Sequence, residues 1–223
     1  MNSEQARFNM VEQQIRTWEV LDPRILDLLH VVKREEFVPA QYRDIAFADL
    51  EIPLSGSKDP SHRMWQPKLE ARAVQSLQIQ PEDEVLEIGT GSGYLTALLA
   101  KLARSVTSVE IVSGFAASAR ERLIAHGIAN ATVEVGDGAR GWHSGQLFDV
   151  IVLTGSTPEL PPQFLDQMRV GGRLFAVVGT APAMHGRLYT RGAASAGGTQ
   201  HRDLFETVVT SLENALQSER FVF

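Results

Sequence analysis

The chain has 223 residues, which suits one domain with a sizeable core and an added lobe. Its 21 Lys and Arg residues against 27 Asp and Glu residues give a formal net charge of −6, so we expect no broad basic surface for nucleic acid. Cysteine is absent, which excludes disulfides and a thiolate mechanism. No apolar run approaches the length of a membrane span, and the first residues lack the apolar core of a signal peptide, so we expect a cytoplasmic protein.

The beginning of the chain predicts two helices. Apolar residues recur at helical spacing between Ser3 and about Trp18, and Ser3 is the expected N-cap. These apolar residues are Phe8, Val11 and Ile15. Asp22 is expected to cap a second helix, which begins at Pro23 and runs to about His30.

Residues 85–95 predict a strand, a tight turn and the start of a helix. Three glycines at alternate positions follow an apolar run that contains one carboxylate: Gly89, Gly91 and Gly93. A dinucleotide-binding turn would place its third glycine at position 94, which is Tyr94, so the spacing disfavours NAD. A glycine-rich turn is also compatible with a plain strand-to-helix connection, which recurs in many α/β proteins.

Two further strands are expected to bring acidic side chains to the same edge of the sheet. One β-branched run ends at Glu110, which lies 21 residues after Gly89, about where nucleotide-binding units hold the ribose hydroxyls. A second run, residues 131–135, is followed by Asp137, which would lie beside an adenine edge. Three strands thus place a glycine or an acid at their carboxyl ends, where ligands bind in open α/β sheets.

Two stretches of this sequence resemble a known family. The turn at 87–94 reads E-I-G-T-G-S-G-Y and resembles motif I of the S-adenosylmethionine-dependent methyltransferases. Residues 34–49 read R-E-E-F-V-P-A-Q-Y-R-D-I-A-F-A-D and resemble the segment before the substrate loop in protein-L-isoaspartate O-methyltransferases. The similarity runs from about Val11 to Val178. It also includes Gly136-Asp137-Gly138, Pro158-Glu159 and Gly171-Gly172-Arg173-Leu174.

The resemblance implies S-adenosylmethionine as the cofactor, with the glycine turn passing under its methionine part. No pyrophosphate is held in such a turn. The residues that the resemblance and the strand ends assign to cofactor binding are Glu87, Gly89, Thr90, Gly91, Gly93, Glu110, Asp137 and Gly138.

The resemblance also implies a substrate loop within residues 52–69. Family members carry a hydroxyl residue two positions before a proline here, but the residue two positions before Pro67 is Trp65. An indole N–H can donate one hydrogen bond, so Trp65 either contributes differently or fills the acceptor site. The side chains predicted to orient the acceptor carboxylate in place of that hydroxyl are Ser57, Ser61, Arg63 and Gln66.

Strands continue to alternate with helices in the second half of the chain. Residues 148–154 and 172–178 are apolar runs typical of buried strands, with a short helix predicted from Pro162. Residues 184–191 and 204–209 predict an antiparallel pair at the sheet edge. The expected fold is therefore α/β: a doubly wound, Rossmann-like methyltransferase fold with a mixed, mostly parallel sheet and a helical N-terminal extension.

We expect one compact unit with two parts. Residues 1–80 would form N-terminal helices and the substrate loop packed on the core, and residues 81–223 would form the S-adenosylmethionine-binding core. The six histidines show no spacing typical of metal ligands, so no metal site is predicted.

The predicted function is that of an S-adenosylmethionine-dependent O-methyltransferase similar to protein-L-isoaspartate O-methyltransferase. Its partner would be a protein or peptide that contains isoaspartate, and neither nucleic acid nor a membrane is expected. Two alternatives remain open at this stage: methylation of a different, small-molecule acceptor, or a non-catalytic protein that only binds S-adenosylmethionine.

Overall fold

The computed structural model of the protein describes residues 2–54, 61–142, 145–193 and 198–217. Within these ranges, no helix has both the length and the apolar character that crossing a membrane requires.

Helical segments form the beginning of the chain, as predicted. Helix α1 spans Ser3–Met10 and continues through a π-helical and a 3₁₀ segment to Trp18. Its N-cap is Asn2, one residue earlier than predicted, because the Asn2 side chain accepts hydrogen bonds from the backbone N–H groups of Glu4 and Gln5.

The second predicted helix is confirmed as α2, Pro23–Val31, and Asp22 caps it by accepting a hydrogen bond from the Arg24 backbone N–H at 2.9 Å. Phe8 lies in α1, as its spacing predicts, but it is 51% exposed, whereas Met10 on the same turn is buried.

A connecting region with little regular structure leads from α2 to the core. Two 3₁₀ segments, Arg34–Glu36 and Ala40–Ile45, come first. Strands β1 (Ile52–Pro53) and β2 (Arg63–Met64) then pair antiparallel, and helix α3 follows at Pro67–Leu77.

The centre of the molecule is a seven-stranded sheet with the order β5-β4-β3-β6-β7-β8-β9. The first five strands in this order, from β5 to β7, are parallel to one another, and β8 and β9 are antiparallel additions at the β7 edge. This mixed, mostly parallel sheet confirms the predicted fold class. The strands are β3 (Glu84–Ile88), β4 (Ser105–Glu110), β5 (Ala131–Val135), β6 (Phe148–Thr157), β7 (Met168–Thr180), β8 (Ala183–Arg191) and β9 (Thr199–Thr207).

Helices α4 (Tyr94–Leu102), α5 (Ser113–Ala125) and α6 (Pro162–Asp166) connect the parallel strands. The larger of two hydrophobic clusters contains side chains from α1 to α5 together with strand residues, and the smaller one includes Phe164 of α6. The N-terminal helices therefore share a core with the sheet. The division at residue 80 stays a prediction.

Candidate active site

A cleft lies at the carboxyl ends of the central strands, where the sequence places its glycines and acids. The cleft and its open mouth contain about 1000 Å³ of empty space, a size that suits a small-molecule ligand. Of the residues predicted to bind the cofactor, those that line it are Gly89, Thr90, Gly91, Glu110, Asp137 and Gly138.

The glycine turn has the backbone conformation that only glycine adopts easily. Gly89 and Gly91 have φ values of +97° and +52°. A Cβ atom on Gly89 would lie 2.2 Å from Oγ1 of Thr154, and one on Gly91 would lie 3.0 Å from Leu54. The turn is therefore packed between β6 and the segment that follows β1, and a side chain at Gly89 or Gly91 would crowd these neighbours.

Glu110 joins the glycine turn to the end of β4. One of its carboxylate oxygens accepts a hydrogen bond from the Gly91 N–H at 2.8 Å, and the other accepts from the Val112 N–H at 2.9 Å. Each carboxylate oxygen has two acceptor positions, so Glu110 can still bind a pair of hydroxyl groups in the cleft. This geometry suits the ribose role predicted for it.

Both carboxylate oxygens of Asp137 accept hydrogen bonds. Its Oδ1 accepts from the Ala139 N–H at 3.0 Å, and its Oδ2 accepts from the Asn214 side-chain amide at 2.9 Å. The neighbouring Gly138 has no space for a side chain, because a Cβ atom would lie 2.8 Å from Ile88. Gly138 therefore packs directly against β3 at this end of the cleft.

Glu87 and Gly93 lie outside the lining of the cleft. Glu87 is fully buried, and its Oε2 accepts hydrogen bonds from the hydroxyl groups of Thr96 at 2.5 Å and Ser108 at 2.6 Å. The Ser108 hydroxyl is also hydrogen-bonded to that of Thr90 in the turn. Glu87 thus links β3, β4, α4 and the turn, and we expect it to support the cofactor site from behind.

Replacement of Glu87 by Gln is expected to change how stability depends on pH. Burial raises the pKa of Glu87 to about 8, so the folded state keeps a proton that the unfolded state loses near its ordinary pKa of 4.5. The contribution of Glu87 to stability therefore falls as the pH rises from about 5 to about 8. We expect the Gln variant to lose less stability over this range, by a few kcal/mol, as measured by urea unfolding.

Glu70 is a second buried carboxyl group with a raised pKa, about 7, and it contributes to the pH dependence of both proteins. The quantity to compare is therefore the difference in the free energy of unfolding between Glu87→Gln and the unaltered chain at each pH. Parallel stability curves for the two proteins would show that Glu87 is ionised when folded.

Arg34 connects the substrate loop to the rest of the fold through buried hydrogen bonds and an ion pair. It is fully buried and donates hydrogen bonds to the backbone carbonyls of Ala46, at 3.0 Å, and Trp65, at 2.6 Å. It also forms an ion pair with the buried Glu70, and its guanidinium lies 5.2 Å from the ring centroid of Tyr94. The R-E-E-F-V-P segment therefore positions the residue that takes the place of the family's hydroxyl.

Trp65 is buried in the wall of the cleft and leaves the space open. It is 5% exposed and packs edge-on against Phe175, with ring centroids 6.2 Å apart. The indole packs into the wall of the cleft, so this arrangement does not support the alternative that Trp65 fills the acceptor site.

The predicted acceptor residues are dispersed. Ser61 and Arg63 line the cleft, and Glu51 beside Arg63 does too. Burial raises the pKa of the Glu51 carboxyl, and Arg63 opposes that rise. Gln66 is the N-cap of α3 and lies outside the lining, while Ser57 falls outside the described residues.

Sequence reasoning missed one wall of the cleft entirely. Residues 210–213 follow β9 and line the cleft next to the glycine turn. Leu212 covers Gly89 and Gly155, and Glu213 pairs with His62 at 2.7 Å. No motif marks these residues, because their partners lie far away in the sequence.

Comparison with known proteins identifies the family. A family model described as protein-L-isoaspartate(D-aspartate) O-methyltransferase matches residues 5–205. The chain belongs to this family. A protein-L-isoaspartate O-methyltransferase from a Synechococcus strain is 41% identical over 180 residues, which cover 81% of this chain and 72% of the relative. A protein of the same name from Protochlamydia amoebophila is 41% identical over 170 residues, covering 76% and 79%.

Two solved structures with names from the protein-L-isoaspartate O-methyltransferase family have the same fold. One superposes with a TM-score of 0.77 at 23% identity and covers 92% of this chain, which spans 65% of that structure's length. The other, described as a putative member of the family from Plasmodium falciparum in complex with S-adenosyl-L-homocysteine, has a TM-score of 0.76 at 19% identity and covers 95% of this chain and 98% of its own.

The predicted family and fold are thus confirmed. As a member of the protein-L-isoaspartate(D-aspartate) O-methyltransferase family, the chain is an S-adenosylmethionine-dependent O-methyltransferase.

Proposed function

We propose that the cleft binds S-adenosylmethionine and that this chain methylates the side-chain carboxylate of isoaspartyl residues in damaged proteins, the activity that gives the family its name. The observation that carries the proposal is the position of Glu110, which lines the cleft while hydrogen-bonded to the glycine turn at Gly91. A carboxylate and a turn with glycine at alternate positions are the groups that suit a ribose and a methionine moiety at this place.

The cleft residues fit this cofactor in three respects. The turn at Gly89 and Gly91 excludes any Cβ atom, so the backbone itself forms the floor. Glu110 retains acceptor positions for two hydroxyl groups, and Asp137 is fixed by Asn214 at the far end. We assign the ribose to Glu110 and the adenine edge to Asp137, with Glu87 and Gly93 supporting the turn.

The chemistry asks little more than positioning from the protein. When bound, S-adenosylmethionine supplies a methyl group, whose bond to sulfur breaks with the electron pair left on sulfur while a carboxylate oxygen forms the ester bond. A carboxylate with an ordinary pKa near 4 is already ionised at neutral pH, so no strong general base is needed. Correct alignment of reacting groups accounts for several kcal/mol of barrier lowering.

The acceptor side would be formed by Arg63 and Ser61 from the loop before α3. A guanidinium at this position favours an anionic acceptor, and an ionised Glu51 beside it would offset part of that attraction. The roles of Ser57 and Gln66 stay predictions, as does the cytoplasmic location.

Methyl transfer from labelled S-adenosylmethionine to an isoaspartyl peptide tests the proposal, with the matching aspartyl peptide as the control. We expect base-labile label on the isoaspartyl peptide alone, because carboxyl methyl esters hydrolyse in base. Absence of label, from protein that binds the cofactor, would contradict the proposed acceptor and favour a different one.

A further inference from the structure

Hydrogen bonds at both ends fix the segment that follows β9 in the wall of the cleft. The Thr210 carbonyl accepts from the Ser156 N–H at 2.9 Å, and the Leu212 N–H donates to the Ser156 carbonyl at 2.9 Å. These bonds attach the segment to the end of β6. Asn214 then binds Asp137, so the segment crosses the cleft in a fixed position.

The same segment meets the substrate loop. His62 and Glu213 lie 2.7 Å apart, although they are separated by 151 positions in the sequence. Thr210 is three residues before Glu213 and lines the same cleft as Arg63 and Trp65. The two walls therefore face one acceptor space.

Besides the Arg63 guanidinium, a hydroxyl group can donate to an acceptor carboxylate in this space, and Trp65 has no hydroxyl. Most hydroxyl groups that line the cleft already have partners. Thr90 is bonded to Ser108, and Thr154 donates to the backbone of the glycine turn. Ser211 is hydrogen-bonded to Ser156, Ser61 has an interaction of its own, and the Ser92 hydroxyl accepts a hydrogen bond from the Tyr94 N–H at 3.1 Å.

Thr210 differs from these residues. It is exposed at the cleft, and its hydroxyl has no hydrogen-bond partner among the residues that the structure describes. Its backbone carbonyl nevertheless accepts a hydrogen bond from the Ser156 N–H, which fixes the position of the Thr210 backbone.

We infer that Thr210 binds the acceptor carboxylate and supplies, from the opposite wall, the hydroxyl that the loop lacks at Trp65. This inference rests on the proposed function and assigns a further residue to the same site. The hydroxyl donates a hydrogen bond to one carboxylate oxygen, and the other oxygen remains free to attack. A hydrogen bond to a charged group is among the stronger ones in proteins.

Thr210→Val removes the hydroxyl and keeps the shape of the side chain, whereas Thr210→Ser keeps the hydroxyl. We expect the Val variant to lower kcat/KM for an isoaspartyl peptide about ten- to hundredfold and to weaken binding of that peptide to the S-adenosylhomocysteine-loaded protein. The Ser variant should stay within about threefold of the unaltered chain. Thr190→Val, at an exposed strand position on β8, is the matched control.

Cofactor affinity should be the same in all four proteins, because Thr210 is assigned to the acceptor only. Equal kcat/KM for Thr210→Val and the unaltered chain would overturn the role of Thr210 and leave the proposed function intact. A loss of kcat/KM in Thr190→Val as large as that in Thr210→Val would also overturn the role of Thr210. Absence of methyl transfer by the unaltered chain would instead overturn the proposed function, and the inference with it.

Discussion

Replacement of Glu110 by Ala is expected to weaken binding of S-adenosylmethionine about a hundredfold, because two hydrogen bonds from the ribose to a charged acceptor are lost. The substitution also leaves the N–H groups of Gly91 and Val112 without their present acceptor, so the turn itself loses support. Isothermal titration calorimetry with S-adenosylmethionine or S-adenosylhomocysteine measures this loss directly.

Two further variants separate the charge of Glu110 from its shape. Glu110→Gln keeps one acceptor oxygen, so its affinity for the cofactor should lie between those of the unaltered chain and the Ala variant. Glu82→Ala removes a carboxylate whose side chain is 80% exposed, and it should bind the cofactor normally. Unchanged affinity in Glu110→Ala would show that the ribose contact is assigned to the wrong residue.

Replacement of Arg34 by Met is expected to destabilise the folded protein by about 3–5 kcal/mol, since removing one partner of a buried ion pair leaves the other uncompensated. Arg34 is fully buried, and Glu70 is 3% exposed. The backbone carbonyls of Ala46 and Trp65 lose a donor as well. Urea unfolding at neutral pH gives the change in the free energy of unfolding.

The double variant Arg34→Met, Glu70→Leu tests the reason for that loss. Removal of both charges should restore part of the stability, because a buried pair replaced by apolar side chains is often close to neutral. A double variant that is less stable than Arg34→Met alone would contradict the explanation by an unpaired charge. A loss below about 1 kcal/mol in the single variant would contradict a large contribution of Arg34 to stability.

The part of the site that depends on local pattern was predictable from the sequence. Alternate glycines after an apolar run, and acids at the ends of two later strands, place Gly89, Glu110 and Asp137 at one edge of a parallel sheet. The mixed, mostly parallel sheet and the family were also predicted from sequence patterns of this kind. They depend on residues that are close in the chain or repeat with the period of a strand.

The remaining features depend on contacts that no local pattern records. Glu87 belongs to the glycine motif, but only the packing of Thr96 and Ser108 shows that its carboxyl group lies behind the turn. Residues 210–213 carry no motif and reach the cleft through partners such as His62, far away in the chain. The N-cap at Asn2 was missed because Ser3 offers an equally suitable side chain.

The most direct test of the central claim is a competition between an isoaspartyl peptide and its aspartyl twin in one reaction with S-adenosylmethionine. Mass spectrometry of peptides that differ by an isotopic label follows both acceptors together. We expect the isoaspartyl peptide alone to gain the mass of one methylene group. Equal methylation of the two peptides, or methylation of neither by protein that binds the cofactor, would contradict the proposal that this cleft methylates isoaspartyl carboxylates.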